Sequence, residues 1–338
     1  MKNLTVVLLA IFLFSNAQAK DPLVLANDAW PPFIVDGGDQ GTAKQLVCQA
    51  LERSGWSCEL KVEDWDKVLV EAQSGSIDGI AAAWKDADRE GYLLYSEPYL
   101  TNRIIPVVNE TNPVSINSPS DLAGLRVAIV VDYAYGDEIS NVAASFEAVD
   151  ATNSLDALGL VQSGKADAAL IDELVARDEL MDPALGGLMT TDTVLAYRDL
   201  HFAVSRKNSN AQQIIDDFQR GYELMLADGT VNEILNVDWL ATGFGETGDL
   251  NVVMRSGISL DDLSDPSNKG GVYALGGSDY KMMNEEDMDT SRVKYQVEGK
   301  TYSSLNLALD EAFGENSPCK HKDYSSQFDC TDLFKKRN

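Results

Sequence analysis

One helix–turn–strand joint occurs twice in this chain, as Gln73-Ser-Gly-Ser-Ile-Asp-Gly-Ile and again as Gln162-Ser-Gly-Lys-Ala-Asp-Ala-Ala. Each copy closes a helical segment with a glycine turn and opens an apolar run, Ile77 to Ala83 in the first and Ala168 to Ile171 in the second. Around each copy, strands and helices alternate, which implies parallel pairing and an open α/β sheet. The repeat therefore predicts two similar α/β lobes. The charge after the joint differs: Arg89 follows the first and Asp172 ends the second. Ligands on such sheets gather at the carboxyl ends of strands. A cleft with opposite charges on its two walls is the expected result.

In the first lobe, Leu23-Val-Leu-Ala reads as a strand that leaves through the rigid aromatic loop Asn27-Asp-Ala-Trp-Pro-Pro-Phe33. Thr42 to Ser54 has helical spacing, with Ala43, Leu46, Val47, Ala50 and Leu51 on one face. A strand from Cys58 to Val62 and a helix from Trp65 to Gln73 follow. Trp30, Trp65 and Arg89 thus all come after strands. Arginine at such a lip can grip a carboxylate through two parallel hydrogen bonds. A solvated surface charge is its bland alternative.

The pattern restarts after an extended run, Ile104 to Val108, and a polar, proline-containing stretch. Arg126 to Val131 and Phe146 to Val149 read as strands, and Tyr133-Ala-Tyr-Gly136 opens a helix. Leu200 to Ser205 returns as a strand, Ala211 to Ala227 is an amphipathic helix, and Val231 to Trp239 is a final short helix. Two chain crossings make a hinge, which suits clamshell closure. Beyond Ala241 glycines and acids interrupt every period, and residues 241–338 read as a poorly packed linker with a small appendage.

Residues 1–19 combine an early Lys, an apolar run and Ala17-Gln18-Ala19, the shape of a cleaved secretory leader. The expected boundaries are 1–19 for the leader, 20–108 and 200–240 for lobe one, and 109–199 for lobe two. A periplasmic, monomeric protein is expected. The net charge of −27 argues against nucleic acid and anionic lipid as partners. Export permits two short disulfides, Cys48–Cys58 and Cys319–Cys330, with buried free thiols as the alternative. His201 and His321 lack metal-type spacing, so neither metal nor cofactor is expected.

These landmarks resemble the periplasmic solute-binding proteins of ABC importers, in the polar amino-acid-binding group (bacterial extracellular solute-binding protein family 3). The resemblance covers residues from about 21 to 240. It rests on Trp30-Pro-Pro-Phe33, on Arg89 followed by Ser96-Glu-Pro-Tyr99, on Ile171-Asp-Glu-Leu-Val-Ala and on Ala227-Asp-Gly-Thr-Val. It implies a type II two-lobed clamshell with a small C-terminal appendage. Arg89 would hold a ligand carboxylate and Asp172 its ammonium, with Trp30 and Trp65 on either side of the apolar part. Asp172 taken alone would equally well cap the following helix.

Two departures stand out. Ala82 and Trp84 occupy positions where the family carries hydroxyls, and Asp132-Tyr133-Ala134-Tyr135 replaces its Gly-Ser/Thr-Thr loop. Asp132 serves equally as a helix cap or a ligand contact. The site expected from sequence is Trp30, Trp65, Ala82, Trp84, Arg89, Asp132, Tyr133, Tyr135 and Asp172. The resemblance implies an amino acid or derivative as ligand, with importer membrane subunits or a sensor reading closure and no catalysis. An enzyme on the same lobes is the competing class. Gly159 to Ala166 only mimics a phosphate loop, ending in Ala where magnesium needs a hydroxyl. Gly187-Leu-Met-Thr190 resembles a transglycosylase signature but lacks its Gln.

Overall fold

A computed structural model describes residues 22–37, 41–191, 193–244, 249–259, 272–276 and 290–317. The expected leader, residues 1–19, and the expected Cys319–Cys330 bond lie outside the described residues. In lobe one, β1 (Leu23–Asn27), α1 (Thr42–Arg53), β2 (Cys58–Val62), α2 (Trp65–Ser74) and β3 (Gly79–Trp84) follow the expected order, and a short β4 (Leu93–Tyr95) comes after them. β1 lies between β2 and β3, parallel to both. The face of α1 read from its spacing is the buried one. Cys48 in the middle of α1 is bonded to Cys58 at the start of β2, with Cα atoms 5.7 Å apart.

The chain then crosses on β5 (Leu100–Asn109) into lobe two, which contains β6 (Arg126–Val130), the single turn α3 (Asp137–Ser140), β7 (Glu147–Ala151), α4 (Ser154–Gln162), β8 (Ala168–Asp172), α5 (Glu173–Glu179) and β9 (Leu188–Thr190). It returns on β10 (Ala196–Ser205), then α6 (Ala211–Asp228) and α7 (Thr230–Leu235). β10 begins earlier than the apolar run suggested, because Tyr197, Arg198 and Asp199 pair with β5 as half-exposed or exposed residues. The sheet runs β2-β1-β3-β10-β5-β8-β6-β7. The two repeated strands, β3 and β8, therefore flank the two crossing strands symmetrically. That arrangement aims the ends of β3 and β8 at a common seam.

Residues after 235 differ from the sequence reading. Trp239 does not end a helix: Asn236 turns left-handed after α7, and Trp239 opens a new strand. β11 (Trp239–Phe244), β12 (Asp249–Met254), β13 (Val272–Ala274), β14 (Val293–Val297) and β15 (Lys300–Tyr302) form a separate sheet, ordered β13-β11-β12-β14-β15. With α8 (Leu305–Phe313) they enclose their own core around Trp239, Val252, Met254, Tyr295 and Leu309. This is a packed unit, not a loose linker. It is tied to the lobes through Asn232, whose side-chain amide donates to the Val253 carbonyl at 2.9 Å, and through Tyr273 and Leu275, which bond Thr101 of β5. Among the described residues no helix is long and apolar enough to cross a membrane.

Candidate functional site

The carboxyl ends of β1 and β3 build one wall of the seam. Asn27, at the end of β1, locks the following loop onto β3: its side chain donates to the Ala82 carbonyl at 2.9 Å and accepts from the Ala82 amide at 2.8 Å. That fixes Asp28 and Trp30 against the end of β3, where Ala82 and Trp84 stand. Trp30 and Trp84 meet edge-to-face at 5.3 Å, and both are buried. Trp84 donates its indole N–H to the Asn102 side chain on β5 at 2.6 Å. Trp84 thus replaces the expected hydroxyl with a ring anchored to a crossing strand.

Trp65, at the first turn of α2, faces the same space. The Arg89 guanidinium lies over its ring, 5.4 Å from the centroid, within reach of a cation–π attraction. Among the described residues Arg89 has no ion-pair partner; it donates to the backbone carbonyl of Asp132 at 2.6 Å. Among the described residues the buried Trp65 indole N–H has no acceptor.

The opposite wall comes from lobe two. Tyr133 and Ala134 complete the lining of a cavity shared with Asp28, Trp65, Trp84 and Arg89. Tyr133 packs edge-on against Trp30, Trp65 and Trp84 at 5.8, 6.4 and 5.3 Å. Its hydroxyl donates to Asp28 Oδ2 at 2.9 Å. Asp28 is only 9 % exposed, and burial pushes its carboxyl up to about 6 despite that hydrogen bond. Burial likewise drives the Tyr133 phenol well above its ordinary range. Burial keeps Tyr133 neutral at physiological pH, so it donates to Asp28 when that carboxyl is ionised.

Of the residues expected from sequence, Trp30, Trp65, Ala82, Trp84, Arg89 and Tyr133 come together here. Three are placed otherwise. Tyr135 is buried in lobe two, accepting from the Val130 amide at 2.9 Å, and does not line the cavity. Asp132 is exposed and contributes its carbonyl; it caps no helix, because α3 starts after Gly136. Asp172 caps α5: its Oδ1 accepts from the amides of Leu174 and Val175 at 2.9 and 3.1 Å. The residue is 3 % exposed, and burial raises its carboxyl to about 7. It lies outside the cavity lining, so the acid in the site is Asp28.

Asp28 was not singled out from sequence. It is one of 54 acidic residues, and its only signal is its place just after the end of β1. Among the described residues no cluster of His, Cys, Asp and Glu could hold a metal. The apparent phosphate loop is the end of α4, with Gly159 inside the helix. The C-terminal end of a helix carries the wrong pole for an anion.

The arrangement offers a guanidinium, a buried carboxylate and three indoles around one small space, which are fittings for a compact solute with separated charges. A model of the Bacterial extracellular solute-binding proteins, family 3, matches residues 23–241. The chain is 23 % identical over 227 residues to the L-cystine-binding protein TcyA of Bacillus subtilis (strain 168), covering 66 % of this chain and 82 % of that protein. It is 27 % identical over 149 residues to the virulence sensor protein BvgS of Bordetella pertussis (strain Tohama I), covering 43 % of this chain and 12 % of the sensor. An ancestral arginine-binding protein bound to arginine superposes with a TM-score of 0.56 at 25 % identity, covering 64 % of this chain and 98 % of that one.

Proposed function

Because this chain belongs to the bacterial extracellular solute-binding proteins of family 3, we propose that it captures a small zwitterionic solute, an amino acid or a derivative, by closing two lobes around it. The observation that carries the reading is Arg89, a guanidinium at the cleft whose hydrogen bond goes to a backbone carbonyl rather than to a carboxylate. A ligand carboxylate would take that place with a charge-assisted, two-pronged hydrogen bond. Asp28 would receive the ammonium, in place of the Asp172 expected from sequence, because Asp28 faces the indoles and Asp172 caps α5. Closure removes water from both charge pairs and strengthens them, so occupancy is linked to lobe geometry. No bond is made or broken in the solute.

The closed form would deliver its ligand to the membrane subunits of an ABC importer in the periplasm, after removal of residues 1–19. The names of the relatives support amino-acid capture: one binds L-cystine and another holds arginine. The similarity to a virulence sensor supports a second use of the same closure, as input to a membrane receptor.

The test is titration calorimetry with L-arginine, L-glutamine and L-cystine on the wild type and on Arg89→Ala. Binding of one of these to the wild type and its loss by at least about a hundredfold in the variant, with unchanged circular dichroism, is expected; a buried charge pair is worth that much. Equal affinity in Arg89→Ala overturns the site.

A further inference from the structure

Tyr133 stands where a ligand would stand. Its ring fills the space between Trp30, Trp65 and Trp84, edge-on to all three. Its hydroxyl satisfies Asp28, and the carbonyl just before it, on Asp132, satisfies Arg89. The segment therefore offers one acceptor to the guanidinium, one ring to the indoles and one donor to the carboxylate. About 20 Å³ of space remains beside it, room for about one water molecule. No amino acid fits while Tyr133 is in place.

The backbone turns sharply just before this ring. Asp132 has φ +62°, a left-handed conformation that non-glycine residues adopt at a cost. The turn it makes aims the following ring across the seam into the opposite lobe. Tyr133 belongs to lobe two, whereas Asp28, Arg89 and the three indoles belong to lobe one. Its contacts are thus the same kind of bridge between lobes that a bound solute makes.

We infer that Tyr133 is a specificity-determining residue that acts as a tethered occupant of the ligand position, holding the lobes together until a zwitterion displaces it. A displacing solute must beat a neutral phenol at Asp28 and a neutral carbonyl at Arg89. A full ammonium and a full carboxylate do so, because each places an opposite charge against a group that Tyr133 and Asp132 meet only with a neutral partner, adding Coulomb attraction in a water-poor cleft and, at Arg89, a two-pronged geometry. Neutral or singly charged solutes gain at one end at most, and are rejected. The orphaned Trp65 indole N–H adds a donor that Tyr133 leaves unused and that an incoming carboxylate can take. The site therefore selects for two opposite charges by requiring that its own side chain be expelled. A ligand's apparent affinity is lowered by the fraction of molecules in which Tyr133 sits in the box.

This inference rests on the zwitterion site proposed above, yet its main readout needs no ligand. The full chain is unfolded in guanidinium chloride, dialysed and refolded to strip carried solute. Its radius of gyration is then measured by small-angle X-ray scattering, alongside Tyr133→Ala and Tyr133→Phe. The wild type is expected to be compact without any added solute. Tyr133→Ala is expected to be expanded, and Tyr133→Phe, which keeps the ring and loses the Asp28 bond, to fall between them. Circular dichroism checks that each variant is folded. L-arginine is the probe for displacement, expected to bind Tyr133→Ala at least about tenfold more tightly than the wild type, the change expected if nine molecules in ten are self-occupied. An expanded wild type, or the same radius of gyration in wild type and Tyr133→Ala, overturns the inference. Neither of those outcomes touches the Arg89 reading, which fails only on its own titration.

Discussion

The hydroxyl of Tyr273 donates to the backbone carbonyl of Thr101 at 2.8 Å, fastening the C-terminal sheet to β5, a strand that both lobes share. The Arg103 guanidinium, two residues further along β5, sits 5.2 Å from the centre of the same ring. Tyr273 is buried in the core of the lobes rather than in that of its own sheet. Tyr273 thus carries an aromatic anchor from the appendage into the hinge, beside the contacts of Leu275 and Asn232.

Replacing Tyr273 by Phe removes one hydrogen bond and should cost about 1 kcal/mol. Replacing it by Ala also empties a ring-sized site and should cost about 3–5 kcal/mol. Urea unfolding followed by fluorescence measures both. Amide exchange along residues 101–104 should quicken in Tyr273→Ala. An unchanged midpoint in that variant would mean that the docking contributes nothing to stability.

Gly221 on α6 faces the backbone of α1 so closely that a β-carbon there would lie 1.8 Å from the Ala50 carbonyl oxygen. Backbone cannot move aside as a flexible side chain can. Gly221→Ala should therefore separate the two helices and destabilise lobe one by about 3 kcal/mol or more. A denaturation midpoint equal to that of the wild type would show that the helices part freely.

Asp172 makes stability depend on pH. Its carboxyl is raised by burial to about 7 in the folded chain, far above the usual carboxylate range. The folded state then holds a proton that the unfolded state gives up, so stability falls as pH rises from about 4 to about 7. The wild type should unfold at lower urea concentration at pH 8 than at pH 5. Asp172→Asn keeps an oxygen to cap α5 and should flatten that slope by a few kcal/mol. The net charge of −27 acts in the same direction. Salt screens that exposed repulsion but not a buried carboxyl, so the difference between variant and wild type should persist at about 0.5 M salt.

The sequence carries the lobes well because their signals are local. The duplicated turn ending in Gly75 and Gly164 places β3 and β8, and the spacing of Leu46, Val47, Ala50 and Leu51 marks the buried face of α1. The Cys48–Cys58 bond joins elements adjacent in the chain. The C-terminal sheet was illegible for the opposite reason. The β11–β12 and β14–β15 pairings are local, but β12 joins β14 and β11 joins β13 across long intervening stretches, so no short window holds the pairings that assemble the sheet. The site divides the same way. Trp30, Trp65, Trp84 and Arg89 can be placed from the strands they follow. Asp28 was hidden because an acid after a strand has no periodicity of its own. Tyr133 as an occupant was hidden because its meaning depends on the distance between two lobes, which no linear pattern encodes.

Asp28 gives ligand capture its own pH dependence, opposite in sense to that of stability. Burial raises its carboxyl to about 6, so it is mostly ionised at pH 7 and mostly protonated at pH 5. A ligand ammonium needs the ionised form, and protons compete with it. The affinity of an amino acid that binds the wild type should therefore fall about tenfold between pH 7 and pH 5, by the linkage of one proton to one site. Asp28→Asn should bind more weakly at pH 7 and show little change down to pH 5. Calorimetry at three pH values decides the point. A wild-type affinity independent of pH, or an equal slope in Asp28→Asn, would remove Asp28 from the ammonium site and reopen the search for the counter-charge to Arg89.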